Sequence, residues 1–322
     1  MFTLQHAGID VSGKECIILG DGASSATVHV ALEDLGAKNI VHLSRKTAPF
    51  YGDAPNYYET AQIIINCTPI GMYPHNPANL IDITQFSKLE GVVDLIYNPR
   101  RTILLLQAEM MEIPHCDGLP FLVAQGVEAA NHFQGESFGT KEIEQILRDM
   151  RREKEKYHPH RHAWCRKTTV GKALGEEMGR TCIDVDRVRK RNCEIFHIYY
   201  GAREAAFREK EAEMIAKFGT QTGLIISTGG GCVTVPKNFA HLRQNGRIYQ
   251  LTQPVENLST FGRVLSSGGI ERLRELEEIR TPMYESFAQS IVEHHRTAPE
   301  TVAAILEDFE SKLIVRAYIS HL

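Results

Sequence analysis

The sequence predicts two α/β domains in tandem, each built on a parallel sheet. Three observations carry this prediction. Short apolar runs alternate with helical patterns from Gly13 onward, and 322 residues exceed what one hydrophobic core ordinarily organises. Two nucleotide-type turns of unrelated design also lie far apart in the chain, at Gly20-Asp21-Gly22-Ala23-Ser24-Ser25 and at Arg166-Lys167-Thr168-Thr169. The run Cys16 to Leu19, a helical pattern over Ser24 to Leu35 and the run Ile40 to Leu43 make a β-α-β unit, and runs at Ile63 to Ile65, Val92 to Ile96 and around Ile113 to Pro114 extend its sheet. The first domain is expected over 1–138, a charged helical linker over 139–158 and the second domain over 159–322. In the second, helices over Thr169 to Met178, Arg203 to Phe218 and Glu271 to Ile279, with strands Leu224 to Ser227 and Arg247 to Leu251, repeat the α/β logic without repeating the sequence. Phe261 to Gly269, bearing Gly and Ser, reads as a loop.

Charge and composition narrow the function classes. A net charge of -4 gives no reason to expect a nucleic-acid partner, and the basic run Arg148 to Lys156 reads as a solvated helical segment. The cysteines, 7 in number and never paired as C-x-x-C, read as reduced thiols. No apolar stretch reaches membrane-spanning length and the N-terminus lacks a signal-peptide pattern, so a cytoplasmic protein with no membrane partner is expected.

In the first domain, glycines at Gly20 and Gly22 permit a tight strand-to-helix turn. A dinucleotide pyrophosphate could approach the helix N-terminus there, bordered by Ala23 and Ser24. This is a Rossmann-like, doubly wound arrangement, although Ser25 stands where the usual fingerprint has its third glycine, and a loose glycine pattern is also met in ordinary turns. At the end of the next strand, where an NAD enzyme carries an acid, stand Ser44, Arg45, Lys46 and Thr47. Positive charge there suits a 2′-phosphate, hence NADP; the alternative is an exposed basic turn.

Three further segments carry a resemblance: Asn66-Cys67-Thr68-Pro69-Ile70-Gly71-Met72, Val93-Asp94-Leu95-Ile96-Tyr97-Asn98-Pro99, and Asp117-Gly118-Leu119-Pro120-Phe121-Leu122-Val123-Ala124-Gln125. In that order and spacing they resemble the NADP-binding half of shikimate dehydrogenase. The resemblance implies that Thr68 and Met72 border the nicotinamide, that Tyr97 and Gln125 reach the substrate, and that Arg45 contacts the 2′-phosphate. Phe121 stands where that family commonly has methionine. The family's substrate domain, with its Lys and Asp acid/base pair, precedes this half, so residues 1–135 are expected to bind NADP without moving the hydroxyl proton unless a separate substrate domain supplies that pair. Shikimate and quinate are not separated by these motifs.

Downstream, Thr181-Cys182-Ile183-Asp184-Val185-Asp186, Ala206-Phe207-Arg208-Glu209, Ser227-Thr228-Gly229-Gly230-Gly231, Gly262-Arg263-Val264-Leu265 and Arg280-Thr281-Pro282-Met283-Tyr284 stand in the order that resembles shikimate kinase. The resemblance implies a P-loop-kinase-like (adenylate-kinase-like) fold and ATP-dependent phosphorylation of the shikimate 3-hydroxyl. By it, Asp186, Arg208, Arg280 and Gly229, Gly230 and Gly231 bind shikimate, with Asp186 also the base. Thr168 and Asp184 hold Mg²⁺, Lys167 contacts the terminal phosphates with Thr168 and Thr169 beside it, and Arg263 stabilises charge in transfer. Each has a plainer reading, such as Arg208 pairing with Glu209 on one helix face.

The phosphate loop departs from its pattern. G-x-x-x-x-G-K-[ST] places glycines at Arg161 and Arg166, Trp164 fills a third glycine place of the family, and Glu155 to His160 replace the apolar strand expected ahead of them. Bulky residues cannot form the same anion nest. A metal site at His158, His160, His162 and Cys165 is a poorer reading, because no second ligand cluster accompanies it. A non-catalytic sensor that keeps shikimate or NADP recognition is the rival. A third account is a displaced reading frame: Tyr157 to Trp164, written TAT CAT CCT CAT CGG CAT GCC TGG and read without its first base, gives Ile-Ile-Leu-Ile-Gly-Met-Pro and a codon beginning GG, with the frame restored near Cys165.

Overall fold

In a computed structural model of the chain, described over residues 1–74, 76–160, 167–187, 203–252, 269–293 and 297–313, two compact units form. The first comprises Met1–Met150 and the second begins at Arg151.

The first unit carries five parallel strands, β1 (Glu15–Leu19), β2 (Asn39–Leu43), β3 (Ile63–Asn66), β4 (Gly91–Asp94) and β5 (His115–Cys116), in the order β2-β1-β3-β4-β5. Successive side chains on a strand point to opposite faces, and both faces are covered. Ile17, Leu19, Ile64 and Val92 enter one core with Leu104, Leu105 and Ala108 of α3 (Ile103–Met110). Cys16, Ile18, Ile63, Ile65 and Val93 enter the other with Leu4 of α1 (Phe2–Ala7) and Leu32 of α2 (Ala23–Asp34). Such two-sided burial is why these strands read as continuous apolar runs. The expected runs at Val92 to Ile96 and Ile113 to Pro114 are displaced by a residue or two, since β4 stops at Asp94 and β5 starts at His115.

The segment expected as a linker is structured through most of its length. Helix α5 (Thr140–Lys154) lays Ile143, Leu147 and Met150 against Val123 and Val127 of α4 (Leu119–Gln134), so its apolar stripe is packed.

The second unit contains β6 (Lys156–His160), α6 (Lys167–Met178), β7 (Cys182–Asp184), α7 (Arg203–Gly219), β8 (Ile225–Ser227), α8 (Lys237–Arg243), β9 (Gly246–Thr252), α9 (Gly269–Phe287), β10 (Ser290–Glu293) and α10 (Ala298–Leu313). Its parallel sheet runs β10-β9-β6-β8-β7. One face packs Tyr157, Ile225, Tyr249 and Leu251 on Val170, Leu174 and Phe309; the other packs Ile226 and Ile248 on Ile215, Tyr284 and Phe287. Two expectations need correction. The strand that appeared replaced at Lys156–His160 forms, because backbone pairing does not depend on side chains: Lys156 N–H donates to Asn245 (2.9 Å) and Tyr157 N–H to Leu224 (3.1 Å). Helix α9 does not stop at Ile279 but passes Pro282 to Phe287, with the Thr281 hydroxyl on the Glu277 carbonyl (2.7 Å). The loop expected over Phe261 to Gly269 lies outside the described residues except for Gly269, which opens α9. No described helix is long and apolar enough to cross a membrane.

Candidate functional site

In the first unit the polar residues gather at the carboxyl ends of β1, β3 and β4, where the order of strands reverses and ligands of open α/β sheets bind. Gly20, at φ +118°, takes a backbone conformation that side chains rarely adopt, and a Cβ there would press on the Thr68 methyl at 3.1 Å. Gly22 caps α2, with Asp21, Gly22, Ala23 and Ser24 exposed at its N-terminus. Ser25, in the third glycine's place, is buried and donates to the Gly22 carbonyl (2.6 Å), so it closes the turn.

Ser44 is also buried. Its hydroxyl accepts from Lys46 N–H (3.1 Å) and Thr47 N–H (2.9 Å), which shapes the turn that leaves Arg45 and Lys46 exposed. Arg45 and Asp21 both act on Tyr51, whose hydroxyl is pushed up first by burial, then by Asp21, against Arg45. Sequence reasoning missed His42. Its Nδ1 lies 3.3 Å from the Gly20 carbonyl and its Nε2 2.8 Å from His29 Nδ1, and neither histidine falls in any motif.

Asn66 and Asp94 tie two strand ends together. Asn66 Oδ1 accepts from Thr68 N–H (3.0 Å) and the Thr68 hydroxyl (2.7 Å), and its amide donates to Asp94 (3.0 Å). Asp94 accepts in addition from Ile96 N–H (3.0 Å) and the Thr102 hydroxyl (2.6 Å). Burial pushes the Asp94 carboxyl up to about 7, against the lowering effect of those hydrogen bonds. The folded state therefore holds the proton that the unfolded chain gives up near pH 4, so stability present below that pH is lost as pH rises towards 7. We expect Asp94→Asn to remove this loss, on the order of 4 kcal/mol for a shift of that size. Denaturant midpoints of parent and variant, compared from pH 4 to 8, measure it; parallel curves would contradict it.

Met72 and Tyr97 stand exposed after β3 and β4, and Gln125 is exposed on α4. A Cβ at Gly118 would run into the Leu95 backbone, which accounts for glycine in that motif.

In the second unit, α6 brings Thr168 to the end of β7, where its hydroxyl donates to Asp184 (2.7 Å). A hydroxyl and a carboxylate so placed suit Mg²⁺, which takes few protein oxygens and keeps waters and phosphates. Among the described residues no cluster of three or more His, Cys, Asp or Glu could hold a metal by itself. Thr169 is exposed in the first turn of α6; the Lys167 side chain and the whole of Arg161, Trp164, Cys165, Arg166 and Arg263 lie outside the described residues.

The glycine triplet is where the predicted substrate residues meet. A Cβ at Gly229 would strike Glu211 and stand 3.3 Å from the Asp186 carboxylate; a Cβ at Gly231 would overlap the Arg208 guanidinium. Only glycine lets both side chains approach. Arg208 pairs with Glu211 (2.7 Å), which is wholly buried, and not with exposed Glu209 as the plainer reading had it, because residues three apart share a helix face and adjacent ones do not. The Gly230 carbonyl accepts from the Tyr284 hydroxyl (2.6 Å), and Arg280 in turn hydrogen-bonds Tyr284. Thr234 and Asn238 bind the Gly231 and Cys232 carbonyls (2.8 Å each), so the loop is fixed on both sides. Glu211 and Tyr284 are the contributors that sequence reasoning did not assign; their proximity to the triplet arises only on folding.

The known proteins similar to this chain are of two kinds. The shikimate kinase family model matches residues 165–310. Shikimate kinase of Thiobacillus denitrificans is 35% identical over 156 residues, covering 46% of this chain and 84% of that protein. Shikimate dehydrogenase (NADP(+)) of Clostridium perfringens is 31% identical over 160 residues, covering 46% of this chain but 59% of that protein, so the chain spans about three fifths of the dehydrogenases it matches. Among solved structures, shikimate kinase from Acinetobacter baumannii in complex with shikimate aligns at 27% identity with a TM-score of 0.47, covering 51% of this chain and 97% of that one. Through its second unit, and with a first unit similar to part of shikimate dehydrogenase, the chain belongs to the shikimate kinase family.

Proposed function

We propose that the second unit phosphorylates the 3-hydroxyl of shikimate with ATP and that the first unit binds NADP. The observation that carries the kinase reading is the convergence of Asp186, Arg208 and Glu211 on Gly229 and Gly231. A flat carboxylated ring laid on the glycine backbone would have its carboxylate taken by the guanidinium forks of Arg208 and Arg280, Arg208 being held by Glu211. Asp186 would orient the hydroxyl and take its proton as the oxygen bonds to the terminal phosphorus and ADP leaves. Thr168 and Asp184 would hold Mg²⁺, which supplies charge neutralisation at the phosphates when bound. Calorimetric titration with shikimate, then with ATP and Mg²⁺, tests this; absence of shikimate binding would end the reading.

One observation favours a second reading, a non-catalytic protein that keeps shikimate recognition. Strand β6, just ahead of the arginine-bearing segment, contains buried Lys156 and Tyr157 and a proline, residues unlike those of the apolar strand expected there. Shikimate binding without ATP binding would support it.

In the first unit, exposed Arg45 on the Ser44-pinned turn supports NADP over NAD. Arg45→Ser is expected to weaken NADP binding by roughly 10- to 100-fold, the value of one charge-assisted phosphate contact, and to leave NAD binding unchanged. Fluorescence titration with both dinucleotides measures it; equal losses for the two would count against a 2′-phosphate contact. Hydride transfer by this unit would also need the acid/base pair of a substrate domain.

A further inference from the structure

Gly20, just after β1, has its backbone held from both ends. Its N–H donates to the Leu43 carbonyl (2.8 Å), and its own carbonyl lies 3.3 Å from His42 Nδ1. A carbonyl only accepts, so His42 Nδ1 carries a proton and donates it. His42 Nε2 then offers a lone pair, and His29 Nδ1 stands 2.8 Å from it. The ring centroids are 5.0 Å apart, close to that nitrogen contact plus two ring radii, so the rings meet edge to edge. His29 Nδ1 therefore donates in its turn. Its other nitrogen, Nε2, lies 3.4 Å from Glu33 Oε1. Gly20, His42, His29 and Glu33 form one relay, in which each proton position follows from the group before it.

The relay has a fixed capacity for protons. One proton on each Nδ1 makes both imidazole contacts while the pair is neutral. A third proton fits on His29 Nε2, where it faces the Glu33 carboxylate. A fourth has only His42 Nε2 left, opposite the N–H of His29 at 2.8 Å, and two N–H groups on two imidazolium rings cannot share that contact. The rings must part. Both are half-buried, so water can deliver the proton. Among the described residues only Glu33 pairs with either ring. Asp21 on the turn after β1, and Arg45 and Lys46 on the loop after β2, are exposed, while β1 and α2 contribute Cys16, Ile18, Val28 and Leu32 to the adjoining core.

What the relay holds is the turn on which a dinucleotide would lie. The Gly20–Asp21 peptide is trans, so its carbonyl and the Asp21 N–H point in opposite directions. Turning the carbonyl onto His42 aims the Asp21 N–H away from the histidines, and that N–H donates to no group among the described residues. Glycine at φ +118° has wide backbone freedom, so a contact to its carbonyl selects one orientation from many.

We propose that His42, seated by His29, is a positioning residue for this turn: it sets the Gly20–Asp21 peptide for a dinucleotide pyrophosphate and releases it when the pair takes up a fourth proton. The inference rests for its ligand on the reading that the first unit binds NADP, whereas the protonation of the rings is measurable without one.

The experiment compares the full chain with its His42→Phe and His29→Ala variants. NADP affinity is followed by fluorescence titration from about pH 8 to 5, the range in which histidines change charge. Ionisation of the ligand's own phosphate is common to all three and cancels in their ratios. At about pH 8, His42→Phe is expected to bind about 3- to 10-fold more weakly than the parent, the worth of one hydrogen bond. Towards about pH 5 the parent is expected to lose a similar factor relative to His29→Ala, in which a doubly protonated His42 meets no opposing N–H and keeps its bond to Gly20. A parent-to-His29→Ala ratio that stays flat, or that rises in acid as plain attraction between imidazolium and phosphate would make it, sinks the proposal. Should His42→Phe fail to fold, that ratio carries the test alone, since alanine is readily accepted at a half-buried helix position. Nitrogen-15 spectra of the histidine-labelled chain without ligand, assigned through the variants, are expected to show His42 protonated on Nδ1 at about pH 8. A proton on Nε2 instead would overturn the relay. An Nδ1 proton in a chain that binds no NADP at any pH would remove the ligand and leave the relay standing.

Discussion

A chain with Ile-Ile-Leu-Ile-Gly-Met-Pro-Gly in place of residues 157–164 and Arg166→Gly is expected to release ADP, in the presence of shikimate and Mg²⁺, on the order of 10³ times faster than the chain as given. The reasoning is electrostatic. Charge spreads over the transferring phosphoryl group, and a nest of backbone N–H groups stabilises it only where small residues let the loop close. Arg161, Trp164 and Arg166 occupy three of those places. Removing one such donor elsewhere costs about 10²- to 10³-fold, so recovery of several sets a lower bound on the gain. The parts that would use the phosphate are already assembled, since Thr168 and Asp184 are in contact and Asp186 adjoins Gly229. The replacement also exchanges the buried Tyr157 ring, tilted against Phe309 with centroids 4.3 Å apart, for an aliphatic side chain without an unpartnered hydroxyl. A coupled assay of ADP release decides it: turnover by the chain as given at the restored chain's rate would show that the arginine-bearing segment cradles phosphate after all.

Arg208→Ala is expected to weaken shikimate binding by about 30- to 1000-fold, the range for truncating one partner of a buried charge pair. Two losses combine. The bidentate fork for the substrate carboxylate disappears, and Glu211, wholly buried, loses the guanidinium that its carboxylate accepts from. Arg208→Lys should recover little, because an ammonium cannot present two parallel donors while also bonding Glu211. Gly231→Ala should act in the same direction, because a Cβ there displaces the guanidinium. Calorimetry without nucleotide isolates this effect from the phosphate loop. Shikimate affinity unchanged in Arg208→Ala would mean that the glycine triplet is not the substrate platform.

Particular residues show why some of this was readable in sequence. Ile63, Ile64 and Ile65 are buried on two faces, so no polar alternation interrupts them, and β3 follows from the run alone. Gly20 announces a turn because only glycine takes φ +118° without strain, and the motif around Gly229 announces a site because no side chain fits against Asp186 and Arg208. β6 was not readable, since its residues have none of the apolar character of a central strand. Glu211, His42 and the Tyr284 hydroxyl were also beyond reach as site components. Each acts through a partner distant in the chain or three residues along a helix, which the sequence around it does not reveal even for Tyr284, the last residue of a recognised motif.

The sequence by itself determined the two α/β units, the order of the motifs and the residue types available for phosphate, carboxylate and dinucleotide. These depend on local backbone freedom and on apolar periodicity, which are properties of neighbours in the chain. Only the tertiary structure decided that Arg208 answers to Glu211 and not Glu209, that Ser25 and Ser44 close turns, that Asp94 is buried between Asn66 and Thr102, and that Lys156 is sealed inside a sheet. Those outcomes depend on which distant groups burial brings together, and desolvation acts on a charge only once the fold has surrounded it.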